Sequence, residues 1–209
     1  MKQVGKLKQL ENLSYFGTET LAQITDLEGN SLYKNISRWL KQDSIIQLKR
    51  GLYTTSAFTQ KQNNQSYFEL ISNKLRYPSY LSLEYVLAKH QMLTESVYSF
   101  TSITQKSTRE YSSSFGRFSY KKVANALFTG YSLEEKNGFQ IATATKAKAL
   151  FDYLYLKFQR NSIISETMIE DLRLNLDEFT KADIEEFAGY CELATYQKFK
   201  KLYRFIDGS

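Results

Sequence analysis

The most regular pattern of apolar and polar positions lies in residues 29–55. Apolar side chains recur there with the spacing of three and four that buries one face of a helix. These side chains are Leu32, Ile36, Trp39 and Leu40. A turn at Gly29 and Asn30 is expected before this stripe, and Ser31 is a residue type that caps helix N-termini. The pattern therefore predicts a helix that begins at a Ser31 cap.

Two short β-rich runs, 45–48 and 52–55, follow this helix. The link between them holds Lys49, Arg50 and Gly51. A glycine between two such runs favours a hairpin turn. We therefore predict a hairpin with two cations at its tip. A polar-faced helix followed at once by a basic hairpin is the pattern of a recognition helix and its wing.

A shorter helical pattern occupies residues 19–25, and residues 26–30 form the turn that leads into the next helix. Two helices joined by a short turn are typical of a helix-turn-helix, whose second helix enters the DNA major groove. Residues 2–14 carry another helical stripe with lysines beside it, and they are predicted to pack beneath this pair. Each feature also has an ordinary explanation, because solvated basic faces and Lys-Arg-Gly turns are common. Their combination in this order favours DNA binding.

The rest of the chain predicts a second, mixed α/β domain. Residues 56–66 are polar without an apolar period, so the domains are predicted at 1–60 and 61–209. Helices are predicted at 67–75, 79–90 with Ser82 as cap, 146–159 with Thr145 as cap, 166–175, 176–190 and 195–206. Strands rich in Thr, Tyr and Phe are predicted at 97–104, 109–120 and 139–142. Lys148 and Asp152, four residues apart, are expected to pair on a helix surface.

The predicted fold class is therefore α+β. An N-terminal winged helix-turn-helix domain is followed by a mixed α/β domain with a small antiparallel sheet and C-terminal helices. The chain of 209 residues is long enough for real cores in both domains.

Charge is distributed unevenly along the chain. The net charge of +6 is mild and permits an anionic partner without requiring one. Residues 1–60 contribute +3, residues 61–160 contribute +7 and residues 161–209 contribute −4. The acidic last segment is therefore an improbable DNA surface.

The scarcity of cysteine and histidine excludes several classes of chemistry. One cysteine cannot form a disulfide within the chain, and one histidine with one cysteine cannot make a Cys/His zinc site. His90 is interpreted as a helix-end side chain without a chemical role, and Cys191 as a small core residue. No catalytic residue, metal or cofactor is predicted. The absence of an apolar leader or a long apolar run predicts a soluble, cytoplasmic protein without membrane contact.

Several sequence segments between about residue 15 and about residue 160 resemble those of one protein family. The segments are Arg50-Gly51-Leu52-Tyr53, residues 77–84 (YPSYLSLE), 108–110 with 116–120, 141–143, and 148–155 (KALFDYLY). Their order and spacing resemble the abortive-infection type IV antitoxins (AbiEi-like). One departure is Lys146-Ala147, where the family usually has Pro-Glu at the start of the helix. Proline and an acid both favour helix initiation, so this helix start is weaker here.

The resemblance implies a winged-helix repressor that binds inverted repeats in its own promoter, two copies per site. It also implies that the C-terminal domain opposes a co-encoded nucleotidyltransferase-like toxin without forming a stable complex. Residue chemistry suggests that Lys34, Asn35, Ser37 and Arg38 contact base edges, with an inward position of Asn35 beside Ile36 as the alternative. Tyr33, Lys41, Lys49 and Arg50 would contact phosphates, and Ser31 lies at the start of the same helix.

Two other functions remain open from the sequence. A metal-dependent nuclease would need clustered acids, and Glu69, Glu84, Glu110 and Asp152 show no such motif. A winged-helix regulator could instead bind a protein or small effector through its C-terminal domain. The acidic run at 166–186 could face a basic partner, although a solvated helix pair explains it as well.

Overall fold

The protein is described here by a computed structural model that covers residues 2–62, 64–160, 163–177, 179–200 and 202–207. The fold is α+β. The chain divides between Ile71 and Ser72 into two compact units, which we call unit 1 and unit 2. This division falls inside one helix, Gln65–Leu75. The predicted domain boundary at 60/61 stays a prediction.

Unit 1 combines short helices with a three-stranded sheet. Its elements are α1 (Lys2–Leu7), a 3₁₀ turn (Lys8–Leu10), β1 (Phe16–Gly17), α2 (Thr18–Thr25), α3 (Gly29–Lys41), β2 (Ile45–Lys49), β3 (Leu52–Thr55), α4 (Ser56–Lys61) and the start of α5 (Gln65–Leu75). The strands are ordered β1-β3-β2, and both pairs are antiparallel. The predicted hairpin of β2 and β3 is present. The pattern analysis missed β1, which is only two residues long.

An apolar cluster joins α1, the 3₁₀ turn, α2 and α3 to the three strands of unit 1. Trp39 of α3 is fully buried together with Leu21 of α2 and Leu10 of the 3₁₀ turn. Ile45 of β2 completes the contact between the helices and the sheet. Burial of side chains of this size contributes about 1.5–3 kcal/mol each. The predicted apolar stripe of α3 is thus confirmed as the face that fixes this helix on its unit.

The start of α3 differs from the prediction. The helix begins at Gly29, and Glu28 occupies the cap position without a side-chain hydrogen bond. Gly29 opens the helix with a left-handed φ of 51°, Asn30 follows in the first turn, and Ser31 lies inside that turn instead of capping it. The reason is that the chain reverses earlier, because Asp26 adopts a left-handed conformation with φ 56° at the end of α2.

Part of the polar stretch at 56–66 is helical, although its sequence shows no apolar period: residues 56–61 form α4. Thr55 Oγ1 accepts a hydrogen bond from the Phe58 N–H at 3.1 Å and so caps α4. Phe58 is buried, and its ring packs against Tyr67 of α5 with 5.2 Å between centroids. One apolar side chain and a cap were enough to form a helix where no period was visible. Asn63, within this stretch, lies outside the described residues.

Unit 2 is built on a larger sheet with helices packed on it. Its elements after α5 are β4 (Ser79–Leu81), α6 (Leu83–Lys89), β5 (Ser99–Thr104), β6 (Arg109–Ser113), β7 (Gly116–Lys122), a 3₁₀ turn (Asn125–Leu127), β8 (Tyr131–Lys136), β9 (Phe139–Ala144), α7 (Lys146–Phe158), α8 (Glu166–Glu170), α9 (Lys181–Leu193), α10 (Gln197–Lys200) and α11 (Tyr203–Asp207). Thr145 caps α7 as predicted. Glu178 and Lys201, which belong to two of the predicted C-terminal helices, lie outside the described residues.

The sheet of unit 2 corrects the prediction of a small antiparallel sheet. Six strands are ordered β6-β7-β5-β4-β9-β8. The pairs β5–β7 and β4–β9 are parallel, and the other pairs are antiparallel, so the sheet is mixed. Asn73 of α5 extends the short contact of β4 with β9, because its amide bonds the backbone N–H and C=O of Ala142 at 2.7 and 3.2 Å.

In unit 2, the strands β4 and β8 were not predicted from the sequence, for different reasons. β4 runs directly into α6 across Ser82, so the two elements together suggested one helix. β8 is an edge strand with mostly exposed side chains, and its sequence lacks the alternation of a half-buried strand. Ser82 does stand at the cap position of α6, but its hydroxyl does not cap the helix.

Helix α7 is buried on nearly all sides. Apolar residues such as Leu150, Phe151 and Leu154 are fully buried, and α6 and α9 pack against the helix. Lys148 and Asp152 do pair, at 2.6 Å, but both side chains are completely buried instead of lying on the surface as predicted. Within the described ranges, every helix is too short or too polar to cross a lipid bilayer.

Candidate nucleic-acid interface

The outer face of α3 collects most of the predicted DNA-binding residues. Leu32, Ile36 and Trp39 are buried and Leu40 packs against the same core, so most of the other positions of α3 face away from it. The exposed members are Ser31, Tyr33, Lys34, Ser37, Arg38 and Lys41. Tyr33 is 62% exposed on this face, so its ring and hydroxyl are accessible to a partner. The helix itself contains no acidic residue.

Asn35 and Arg38 are linked on this face. Arg38 Nη2 donates to Asn35 Oδ1 at 2.5 Å, while Asn35 Nδ2 donates to the Ser31 carbonyl at 2.9 Å. Asn35 is half-buried and does not turn into the core. The amide therefore orients the guanidinium along the outer face of the helix.

The tip of the β2–β3 hairpin adds a second cationic feature. Arg50 is exposed and Lys49 is half-buried. Gly51 follows with φ 78°, a left-handed conformation that glycine adopts without strain. The turn therefore presents Arg50 to solvent at the end of the hairpin. All nine predicted residues lie on α3 or at this tip.

Asn30 is an additional candidate that the sequence pattern did not identify. It is exposed in the first turn of α3, four residues before Lys34 on the same helical row. It was assigned to a turn because Gly29-Asn30 is a common turn pair. The signal that could have placed it was Asp26, a residue type that tolerates the left-handed conformation that ends α2.

Some side chains of unit 2 belong to residue types that can bind a metal or act as a nucleophile or base. The described residues contain no group of three or more His, Cys, Asp or Glu side chains arranged to hold a metal. His90 lies at the end of α6, where its side chain is exposed to solvent. Its pKa is lowered mainly by partial desolvation of the ring and, to a smaller extent, by the positive charges of Lys146 and Lys89. Cys191 is buried, and desolvation raises the pKa of its thiol to about 12, which disfavours the reactive thiolate.

The most conspicuous polar group of unit 2 is the buried pair Lys148–Asp152. Tyr80 and Ser82 donate hydroxyl hydrogen bonds to Asp152 at 3.0 and 2.8 Å. Every polar partner of the carboxylate is thus buried with it, and the arrangement is typical of a structural network. No family model and no curated protein matches the chain.

Proposed function

We propose that the protein is a winged helix-turn-helix repressor that binds inverted repeats in its own promoter. Helix α3 is the recognition helix and the β2–β3 hairpin is the wing. The single observation that carries the proposal is the outer face of α3, which presents Lys34, Arg38 and Lys41 without an acid and is followed directly by the Arg50 tip.

The order of elements in unit 1 supports this assignment. Two helices, α2 and α3, are separated by residues 26–28, which is the short turn that helix-turn-helix motifs use. The strands that follow α3 form a hairpin, and β1, which precedes α2, pairs with its second strand. Winged helices have this succession, with the sheet supporting the hairpin.

Residue chemistry suggests how the face would read DNA. Arg38 bonds a guanine edge through two N–H groups, and Asn35 fixes its orientation. Lys34 and Ser37 reach neighbouring base edges, while Tyr33, Lys41, Lys49 and Arg50 contact phosphates and fix the register. Ser31 and Asn30 lie at the N-terminal end of the helix, which favours phosphate oxygens. Two copies of the protein bind one inverted repeat.

The proposal extends to antitoxin activity because of the resemblance to the type IV antitoxins. In this proposal unit 2 counteracts a co-encoded nucleotidyltransferase-like toxin without a stable complex, and the protein is not itself an enzyme. Co-expression with the neighbouring gene product tests this part: growth rescue without co-purification is expected. If the protein binds DNA but does not restore growth in this co-expression, the antitoxin part of the proposal is wrong.

DNA binding is tested first with Arg38→Ala. Labelled DNA from immediately upstream of the gene is titrated at several salt concentrations, with random duplex as competitor. We expect selective, salt-sensitive binding by the natural chain and a loss of about 1–3 kcal/mol of selectivity in the variant, since one bidentate base contact is removed.

Lys61→Ala is the matched control for this titration. Lys61 is an exposed cation of unit 1 at the end of α4, away from α3 and the hairpin tip in sequence. The control removes the same charge but should leave selectivity unchanged. Equal effects of the two variants, or binding equal on operator and random DNA, would reject α3 as the recognition helix.

A second candidate function is a winged-helix regulator whose unit 2 binds a small effector. A cationic cleft in unit 2 favours this variant of the proposal.

A further inference from the structure

Three clefts of unit 2 share Glu84 in their walls. The one of interest, here called the basic cleft, has a volume of about 560 Å³. Its lining includes four cations: Lys121, Lys122, Lys157 and Arg160. Among its described lining residues Glu84 is the single carboxylate. A cleft lined mostly by one sign of charge concentrates counter-ions of the opposite sign.

Three of these cations are available for a ligand. Lys122 and Arg160 are exposed and Lys121 is half-buried. Within the described residues, no carboxylate lies at ion-pair distance from any of the three. The Lys122 N–H donates to Thr108 Oγ1 at 3.2 Å, which ties the end of β7 to the start of β6. Lys122 therefore stands on hydrogen-bonded backbone, and among the described residues no carboxylate neutralises these three cations.

The end of α7 would normally repel an anion, because helix carbonyls carry partial negative charge there. Lys198 removes this obstacle by donating to the Phe158 and Gln159 carbonyls, both at 3.0 Å. Arg160 is consequently not needed to cap the helix. Lys157 makes one long hydrogen bond within its own helix, from Nζ to the Tyr153 hydroxyl at 3.5 Å.

The basic cleft is also lined by less polar side chains. Leu83 is buried, and Tyr153 and Leu156 are half-buried. The volume lies in the range of small-ligand sites, which combine apolar walls with a few placed charges. The cleft is therefore shaped for a molecule with an anionic part and a less polar part.

The neighbouring clefts argue against a long polyanion. Glu110 lines one of them, and Glu95 and Asp171 line the other. These clefts also contain cations, Arg117 and Lys121 in the first and Lys157 and Arg173 in the second, so positive charge does not dominate them as it does the basic cleft. The excess of positive charge is therefore confined to the basic cleft, which favours a small anionic ligand over a long polyanion.

We propose that the basic cleft binds a small ligand carrying two or more phosphate groups. The phosphates lie between Arg160, Lys121 and Lys122, and the uncharged part rests on Tyr153 and Leu156. Arg and Lys are the side chains that bind phosphate most strongly. This site does not depend on DNA binding by unit 1.

The test is calorimetric titration of the full-length chain with sodium triphosphate and with adenosine triphosphate, at low salt and without divalent ions. We expect saturable binding of one molecule per chain. Arg160→Ala and Lys121→Ala should each weaken binding about tenfold, the effect of losing one charge-assisted hydrogen bond. The control Lys181→Ala removes an exposed cation from α9 and should change binding less than about twofold.

Glu84→Gln gives a result of opposite sign and keeps the side-chain shape. Removal of this carboxylate should tighten sodium triphosphate binding, because a like charge leaves the cleft. Absence of saturable binding, or equal weakening by Lys181→Ala, would overturn the proposal. Random duplex DNA is titrated in parallel. Weakening of DNA binding by Arg160→Ala, without any triphosphate binding, would assign the patch to nucleic acid instead.

Discussion

Lys148 and Asp152 form the polar centre of unit 2. Their contact of 2.6 Å is fully buried, and the Lys148 ammonium also lies 5.1 Å from the Tyr190 ring centroid. Burial raises the pKa of Asp152, while Lys148 and the hydroxyls of Ser82 and Tyr80 oppose this rise. Removal of one member of such a pair destabilises the fold, because the charge of the other member is left buried without a partner or hydrating water.

Lys148→Met should therefore destabilise the protein severely. Removal of the ammonium leaves the Asp152 carboxylate buried, and we expect a loss of about 3–5 kcal/mol in the free energy of unfolding, measured by urea denaturation. Lys157→Met, an exposed lysine of the same helix, should change stability by less than about 0.5 kcal/mol. The double variant Lys148→Met/Asp152→Leu should recover part of the loss, since no unpaired charge remains. Equal stability of the two single variants would contradict the role of the pair.

At the scale of elements, Asp183 joins the beginnings of α7 and α9. Its carboxylate accepts from the Thr180 N–H at 2.8 Å, which completes a capping box, and pairs with Lys146 at 2.8 Å. Desolvation raises the pKa of Asp183, but the hydrogen bonds from Lys146 and Thr180 outweigh it and lower the pKa overall. The ionised form is therefore the one that stabilises both helix starts.

This shift predicts a pH-dependent effect of Asp183→Asn. Because the folded pKa is lowered, the stabilisation is fully present above the unfolded value of about 3.9 and is lost as the pH falls through the folded pKa. We expect the variant to lose about 1–2 kcal/mol at pH 7 and the difference to shrink towards pH 3. Urea denaturation at both pH values measures it. Glu185→Gln, an exposed neighbour, is the control, and a difference independent of pH would argue against the ionised cap.

Elements with strong local signals were predictable from the sequence. The stripe of α3, the β2–β3 hairpin and the Thr145 cap each depend on residues close together in the chain. β4 and the parallel pairing of β5 with β7 were not predictable, because they depend on contacts between distant residues. The same holds for Lys148 and Asp152: spacing predicted their contact, but not its burial by α6 and α9. In the candidate site, spacing predicted the exposed cations but not Asn30 or the Asn35–Arg38 bond.

At the scale of the whole molecule, charge separates the parts of the chain. Positive charge dominates residues 1–160, and residues 161–209 are acidic. In the proposed DNA complex, α3 and the hairpin tip supply the specific contacts, and the positive charge of residues 61–160 can add only non-specific attraction. Counterion release makes the number of phosphate contacts measurable from the salt dependence of binding.

Arg50→Ala should separate phosphate contacts from base contacts. Arg50 stands exposed at the hairpin tip, so its loss should weaken operator and random DNA equally. The slope of log K against log salt should fall by about 1 for each bound copy, or about 2 for an inverted repeat with two copies. Arg38→Ala should instead lower the ratio of operator to random binding. A change in that ratio for Arg50→Ala with an unchanged slope would place Arg50 on a base edge, and the hairpin would then read sequence instead of fixing the register.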